Sequence, residues 1–150
     1  PPENADLYER IVTAGVVVSF VLLAGAMAGM QYGLKVPGRS LYIHVGALFG
    51  TAMALNVWMR IWPAQRRIVA AIKAGKAPEA ADPALAGLRS KHNTYMSVPL
   101  LFIMVSNHFA GLYGFQEDKG WLILLGLIVL GWGVVKLLYL KAAGEAPKFF

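Results

Sequence analysis

Two histidines, His44 and His108, are the residues of this 150-residue chain best placed to do chemistry. Each lies in a long apolar segment, and if those segments are antiparallel helices both imidazoles come to the same membrane face. Neutral imidazole is a good iron ligand, and two of them approaching from opposite sides satisfy a haem iron axially. From His44 the same helical face carries Leu48, Thr51, Leu55 and Trp58, and from His108 it carries Met104, Leu101, Ser97 and Thr94. Facing one another, these stripes would enclose a slot lined by apolar and hydroxyl groups. His44 and His108 are therefore the candidate metal ligands, with Thr51, Ser97 and Met104 as further contacts to a b-type haem. The alternative is structural: each histidine sits at the interface, hydrogen-bonded to backbone, to a partner chain or to water.

The third histidine does not join them. His92 precedes His108 by sixteen residues, about 24 Å along a helix at about 1.5 Å per residue, and points about 160° away from it. With Arg60, Gln65, Lys91 and Asn93 near the same membrane face, it reads as a structural or headgroup-facing residue.

The elements that must position these side chains are transmembrane helices. Hydrophobic residues make up 57% of the chain and charged ones 15%, with a mean hydropathy of +0.55, outside the range of an ordinary soluble domain. A helix needs about 20 mostly apolar residues to cross a hydrocarbon core of about 30 Å. Four segments qualify, at about 11–32, 41–62, 94–113 and 121–139. The first is too long for a signal-peptide core and follows an acidic start, Glu3 to Glu9, so it reads as a retained helix. The expected fold is all-α: one integral membrane domain over 1–150, a four-helix up-down bundle with two short loops and one long connection at 63–91.

Charge sets the expected orientation. Of the 14 Lys and Arg, Arg60, Arg66, Arg67, Lys73, Lys76, Arg89 and Lys91 lie in or beside the long connection. Arg10, Lys136, Lys141 and Lys148 share its side, because four spans return the chain to its starting face. Only Lys35, Arg39 and Lys119 lie opposite. The positive-inside rule then makes both termini and the connection cytoplasmic, in a bacterial inner membrane. This distribution also accounts for the net charge of +6 without invoking nucleic acid. The absence of cysteine excludes disulfides, thiolate metal sites and covalent haem attachment within the chain.

The connection begins as an amphipathic continuation of the second span, with Pro63 as a potential kink and Gly75 as its end. A loop at 76–83 follows, then a short helical stretch at 84–91. Gly25 and Gly29, and Gly46 and Gly50, are spaced for close helix approach. Trp58, Trp62, Tyr113, Trp121 and Tyr139 sit where interfacial anchors belong. Asn56 and Asn107 are costly in lipid and are expected to face protein, and Pro99 can bend the third span. No nucleophile–base pair, paired intramembrane carboxylates or phosphate loop is evident, and the adjacent Glu117 and Asp118 read as a solvated outer loop.

The run His44-Val-Gly-Ala-Leu-Phe-Gly-Thr-Ala-Met-Ala-Leu-Asn-Val-Trp58, continuing to Pro63-Ala-Gln-Arg66, resembles the later half of the membrane domain of PuuD-type, cytochrome c-linked urate oxidases. Ala74-Gly-Lys-Ala-Pro78, Arg89-Ser-Lys-His-Asn-Thr-Tyr95, Pro99-Leu-Leu-Phe102 and Met104-Val-Ser-Asn-His108 fit the same pattern in order and approximate spacing. Together they cover about residues 41–135, and the first helix fits only as a generic preceding span. Larger members of the family have more spans and a c-type cytochrome domain, so the resemblance implies a half-length, standalone relative and not a complete urate-oxidising enzyme.

Two functions of different classes follow. In one, the chain is a cytochrome b-like subunit holding haem between His44 and His108 and passing electrons to a periplasmic carrier such as cytochrome c. In the other, it is a cofactor-free accessory subunit that packs, among lipid, against other subunits of a larger respiratory or photosynthetic membrane complex.

Overall fold

The structure, a computed structural model, describes residues 5–109, 111 and 119–143, and every regular element among them is helical. Helix α1 (Ala5–Ala28) runs into a π-helical turn, Gly29–Gly33. Helix α2 (Gly38–Asn56) continues through a second π turn, Val57–Ile61, into α3 (Trp62–Lys73). Helix α4 spans Ala81–Ser106 and α5 spans Gly120–Ala142.

Local chemistry explains where these helices begin, change and stop. Pro37 has extended backbone torsions, and its carbonyl accepts the Leu41 N–H at 2.9 Å to open α2. Pro63 has no N–H to give to the carbonyl four residues back, and its ring crowds that carbonyl. The helix accommodates it by widening through the π turn just upstream, so α2 and α3 form one unbroken rod, Gly38–Lys73, of 36 residues. The rod stops at Gly75, whose φ of 67° lies in the left-handed region. There the Lys76 N–H reaches the Ala71 carbonyl and the Gly75 N–H reaches that of Ile72, the paired bonds of a glycine-terminated helix end.

Helix α4 merges two features expected to be separate. The stretch at 84–91 and the described part of the expected third span, 94–113, are one 26-residue helix. It starts by burying Asp82 and ends at Ser106; Tyr113 lies outside the described residues. Among the described residues three helices are long and apolar enough to cross a membrane by composition: Arg10–Gly33, Gly38–Lys73 and Gly120–Ala142. Helix α4 is not among them, since its first half carries Asp82, Arg89, Lys91, His92 and Asn93.

Helix α4 nevertheless occupies the centre. It packs against α2, α3 and α5, while α1 leans on α5 and meets α2 mainly through its π turn. Helices α1 and α2, joined by a short loop, therefore meet chiefly at the end that carries the loop. Met27, Leu41, Tyr42, Val45, Ile103, Leu124 and Ile128 form the core, with Phe49, Phe102 and Leu125 packed beside them. Large apolar residues elsewhere point outward, among them Val21, Leu22, Leu130 and Leu138. An outward apolar surface on helices of this length is what lipid requires and water penalises.

Close approach to α4 depends on two glycines. A Cβ on Gly46 would stand 3.1 Å from Ile103 Cγ2, and one on Gly131 would stand 3.1 and 3.3 Å from the ring of Pro99. Gly25, Gly29 and Gly50 have nothing within 4 Å of the corresponding position. Of the two expected glycine pairs, Gly46 alone meets a neighbouring helix this closely among the described residues. Gly131→Ala is expected to lower stability by about 1–3 kcal/mol, because the rigid proline ring cannot yield, whereas Gly50→Ala is nearly neutral. Unfolding of the detergent-solubilised variants followed by circular dichroism checks this, and equal stability of the two would refute it.

Candidate functional site

Whether His44 and His108 can share a ligand depends on how α2 and α4 are rotated about their axes. Helix α2 buries Leu41, Tyr42, Val45 and Gly46, and α4 buries Pro99, Ile103 and Ser106. At about 100° per residue, His44 lies about 130° from the centre of the buried α2 face. His44 is accordingly exposed, and so are Leu48, Thr51, Leu55 and Trp58 beneath it.

The partner stripe behaves the same way. Met104 and Leu101 are exposed, Ser97 is half-buried with its hydroxyl donating to the Thr94 carbonyl at 2.8 Å, and His108 is exposed in the turn beyond α4. The slot expected between the two stripes does not form within the chain. Residues of each stripe do share a face, but it is the face turned away from the neighbouring helix. Gly46, Leu100 and Ile103 fill the space between α2 and α4.

His44 still has a defined chemical state. Its Nδ1 lies 2.7 Å from the Ser40 carbonyl oxygen, one turn back. A carbonyl only accepts, so Nδ1 carries the proton. In the neutral ring Nε2 then holds the lone pair, on the outward side of the bundle. The same second-sphere bond fixes ligating histidines in metal sites. Among the described residues no group of three or more His, Asp or Glu is placed to hold a metal ion.

The interhelical polar contacts lie at the two ends. At the end near the 34–37 turn, Gln31 accepts the Trp121 backbone N–H at 2.9 Å, capping the first turn of α5 from a different helix. The Trp121 indole N–H donates to the Tyr32 hydroxyl at 3.1 Å. Trp121 thus joins α1 to α5 in addition to lying near a span end.

Towards the other end, Asn56 donates to the Asn93 side-chain oxygen at 3.0 Å, and Asn93 donates to the Met53 carbonyl at 3.1 Å. Asn56 faces protein as its cost in lipid requires. Asn107 instead donates to Ile103 of its own helix at 2.9 Å. Tyr95 stacks between Trp132 and Tyr139, with ring centroids at 5.0 and 5.8 Å, while Lys91 and Lys136 lie over the Tyr139 and Trp132 rings. Tyr139, expected as an interfacial anchor, is part of this ladder. Trp58 and Trp62 are exposed at 76% and 60%, as anchors should be.

The strongest contact escaped the sequence. Arg67 on α3 donates through Nε to both oxygens of Asp82 at 2.9 and 3.0 Å, and Nη2 completes a fork on Oδ1. The guanidinium holds the buried Asp82 carboxyl below the usual carboxylate range, hydrogen bonding being the larger cause and charge attraction the lesser. Desolvation of its ring, with Arg89 and Lys91 nearby, pushes the His92 imidazole below the ordinary histidine value. Glu117, Asp118 and Lys148 lie outside the described residues.

A family model described as urate oxidase N-terminal matches residues 5–149. The match takes in α1 and its π turn, so the first helix belongs to the family pattern and is more than a generic preceding span. No curated protein and no solved structure matches the chain.

Two outcomes follow from the polar pins. A carboxylate whose folded pKa is lowered contributes stability that is present above its unfolded pKa, about 4, and lost as the pH falls through the lowered value. Thermal stability in detergent is therefore expected to fall as the pH is taken below about 4. Asp82→Asn should be less stable at neutral pH and lose that component of the acid dependence; an unchanged acid profile would refute the assignment. A double-mutant cycle of Asn56→Ala and Asn93→Ala should give a coupling of about 0.5–1.5 kcal/mol, and strict additivity would refute the pairing.

Proposed function

Because the chain belongs to the urate oxidase N-terminal family, we propose that it is a membrane-embedded helical module of PuuD-type machinery that handles electrons and not urate itself. The observation that carries this reading is the outward His44 imidazole, with Nδ1 fixed on Ser40 and Nε2 presented above an apolar stripe. In this reading a b-type haem is held at that face, between this chain and further membrane helices. His44 is the imidazole ligand at that face, with Thr51 on the same exposed stripe; His108, Ser97 and Met104, on the other stripe, reach a haem only through the interface with those further helices. Among the described residues His44 and His108 lie on separate exposed stripes.

The module sits in the bacterial inner membrane with both termini and the 63–91 connection cytoplasmic, following the positive-inside distribution. The histidine-bearing ends of α2 and α4 then face the periplasm, where a cytochrome c can accept electrons.

A second reading has its own support. The space between α2 and α4 is packed with side chains, and α1 exposes most of its apolar surface. A cofactor-free accessory subunit of a larger respiratory or photosynthetic complex needs only such faces.

Absorbance of the gently extracted assembly separates the two readings. The redox reading expects a Soret band that is lost or shifted in both His44→Ala and His108→Ala, with the assembly intact on native gels. No Soret band in an assembly that retains its partners would refute it and leave the accessory role.

A further inference from the structure

At the end of the bundle carrying the 63–91 connection, an open cleft of about 380 Å³ is lined by Pro63, Arg66, Arg67 and Ala70. The spacing of three, four and seven residues from Pro63 puts all four on one face of α3. The two arginines are not equivalent. Arg67 is tied to the buried Asp82, which neutralises its charge and fixes its guanidinium. Arg66 is exposed and makes no ion pair among the described residues. The cleft therefore presents one uncompensated guanidinium above the apolar Pro63 and Ala70.

Depth identifies what such a cleft meets. The Gly38–Lys73 rod has 36 residues and is about 54 Å long at about 1.5 Å per residue, well beyond the hydrocarbon thickness of about 30 Å. The exposed Trp58 and Trp62 mark where its apolar part ends, because amphipathic aromatics settle among headgroups. Pro63 and Arg66 lie within about one turn of that boundary, at the level of lipid phosphates.

We propose that this cleft binds the phosphate of an anionic phospholipid. Arg66 donates to the phosphate oxygens, whose geometry its planar fork matches. Arg67, held by Asp82, forms a fixed wall, and Pro63 and Ala70 lie against the glycerol and the first methylenes of the acyl chains. A free phosphate offers the same oxygens, but the headgroup depth and apolar lining suit the lipid. The proposal rests on reading the Gly38–Lys73 rod as membrane-crossing.

The test uses the full chain in nanodiscs of mixed phosphatidylcholine and phosphatidylglycerol, with retained lipid counted by native mass spectrometry. Wild type is expected to retain phosphatidylglycerol preferentially. Arg66→Gln should weaken that retention roughly tenfold, the loss of one charge-assisted contact. Arg10→Gln, exposed on α1 and outside the lining of the cleft, should retain it. Equal losses in the two variants, or no preference for phosphatidylglycerol, would overturn the site. Displacement of the lipid by inorganic phosphate would assign the cleft to a free anion and overturn the lipid reading. Failure of wild type to enter nanodiscs of phosphatidylcholine alone would overturn the membrane-crossing reading, and the proposal with it.

Discussion

The closeness of α4 to its neighbours governs the rest of this fold. In lipid there is little hydrophobic gain from bringing apolar helices together, since acyl chains are as apolar as leucine. What remains is van der Waals contact at short range and a few interhelical hydrogen bonds. Gly46 admits Ile103 from one side, and Gly131 admits the ring of Pro99 from the other. Pro99 gives up one helix hydrogen bond, but its flat ring makes a surface on which a glycine backbone can lie. Helix α4 can thus be central although it is less apolar than its neighbours.

Close packing leaves sliding and rotation to be restrained, and the polar contacts at the two ends do that. Gln31 and Tyr32 meet Trp121 at one end, and Asn56, Asn93, Arg67 and Asp82 meet at the other. Each set lies in or beside a π turn. A π turn adds a residue to the helix repeat and shifts the angular phase of everything after it. Gly29–Gly33 delivers Gln31 to the open N-terminus of α5, while Val57–Ile61 carries the rod past Pro63 and sets the phase in which Arg67 meets Asp82.

Much of the helix pattern was legible in the sequence, because hydropathy, Pro63 and Gly75 act locally. The partner of Asn56 could be inferred in kind, since an amide in lipid must find protein, although Asn93 itself was not named. Rotation about the helix axes was much harder to read. Helices α1 and α5 are apolar nearly all round, and along α2 both the Tyr42–Val45–Gly46 face and the Leu48–Leu55 stripe are apolar, so periodicity does not distinguish the buried side from the lipid side. Small residues carried the missing signal at Gly46, but Gly50, four residues on, looks identical in sequence, and a Cβ there would meet nothing within 4 Å among the described residues. The Arg67–Asp82 pair was obscured for a different reason. It closes across a loop rich in Ala, Pro and Gly whose path no local pattern specifies.

The same rotational constraint decides what the histidines can do. Turning α2 far enough to bring His44 to α4, by about 130°, would carry Tyr42 and Val45 out of the core and take Gly46 away from Ile103. An alanine-sized obstruction at that contact is already tight at 3.1 Å, so a larger side chain there would force the helices apart. The Asn56–Asn93 bond lies on the same rod as Gly46 and would break with it. Stability and an outward His44 are therefore one choice of helix phase. The phase that packs Gly46 against Ile103 is thus the phase that leaves the His44 imidazole on an exposed face of α2, away from the α2–α4 contact.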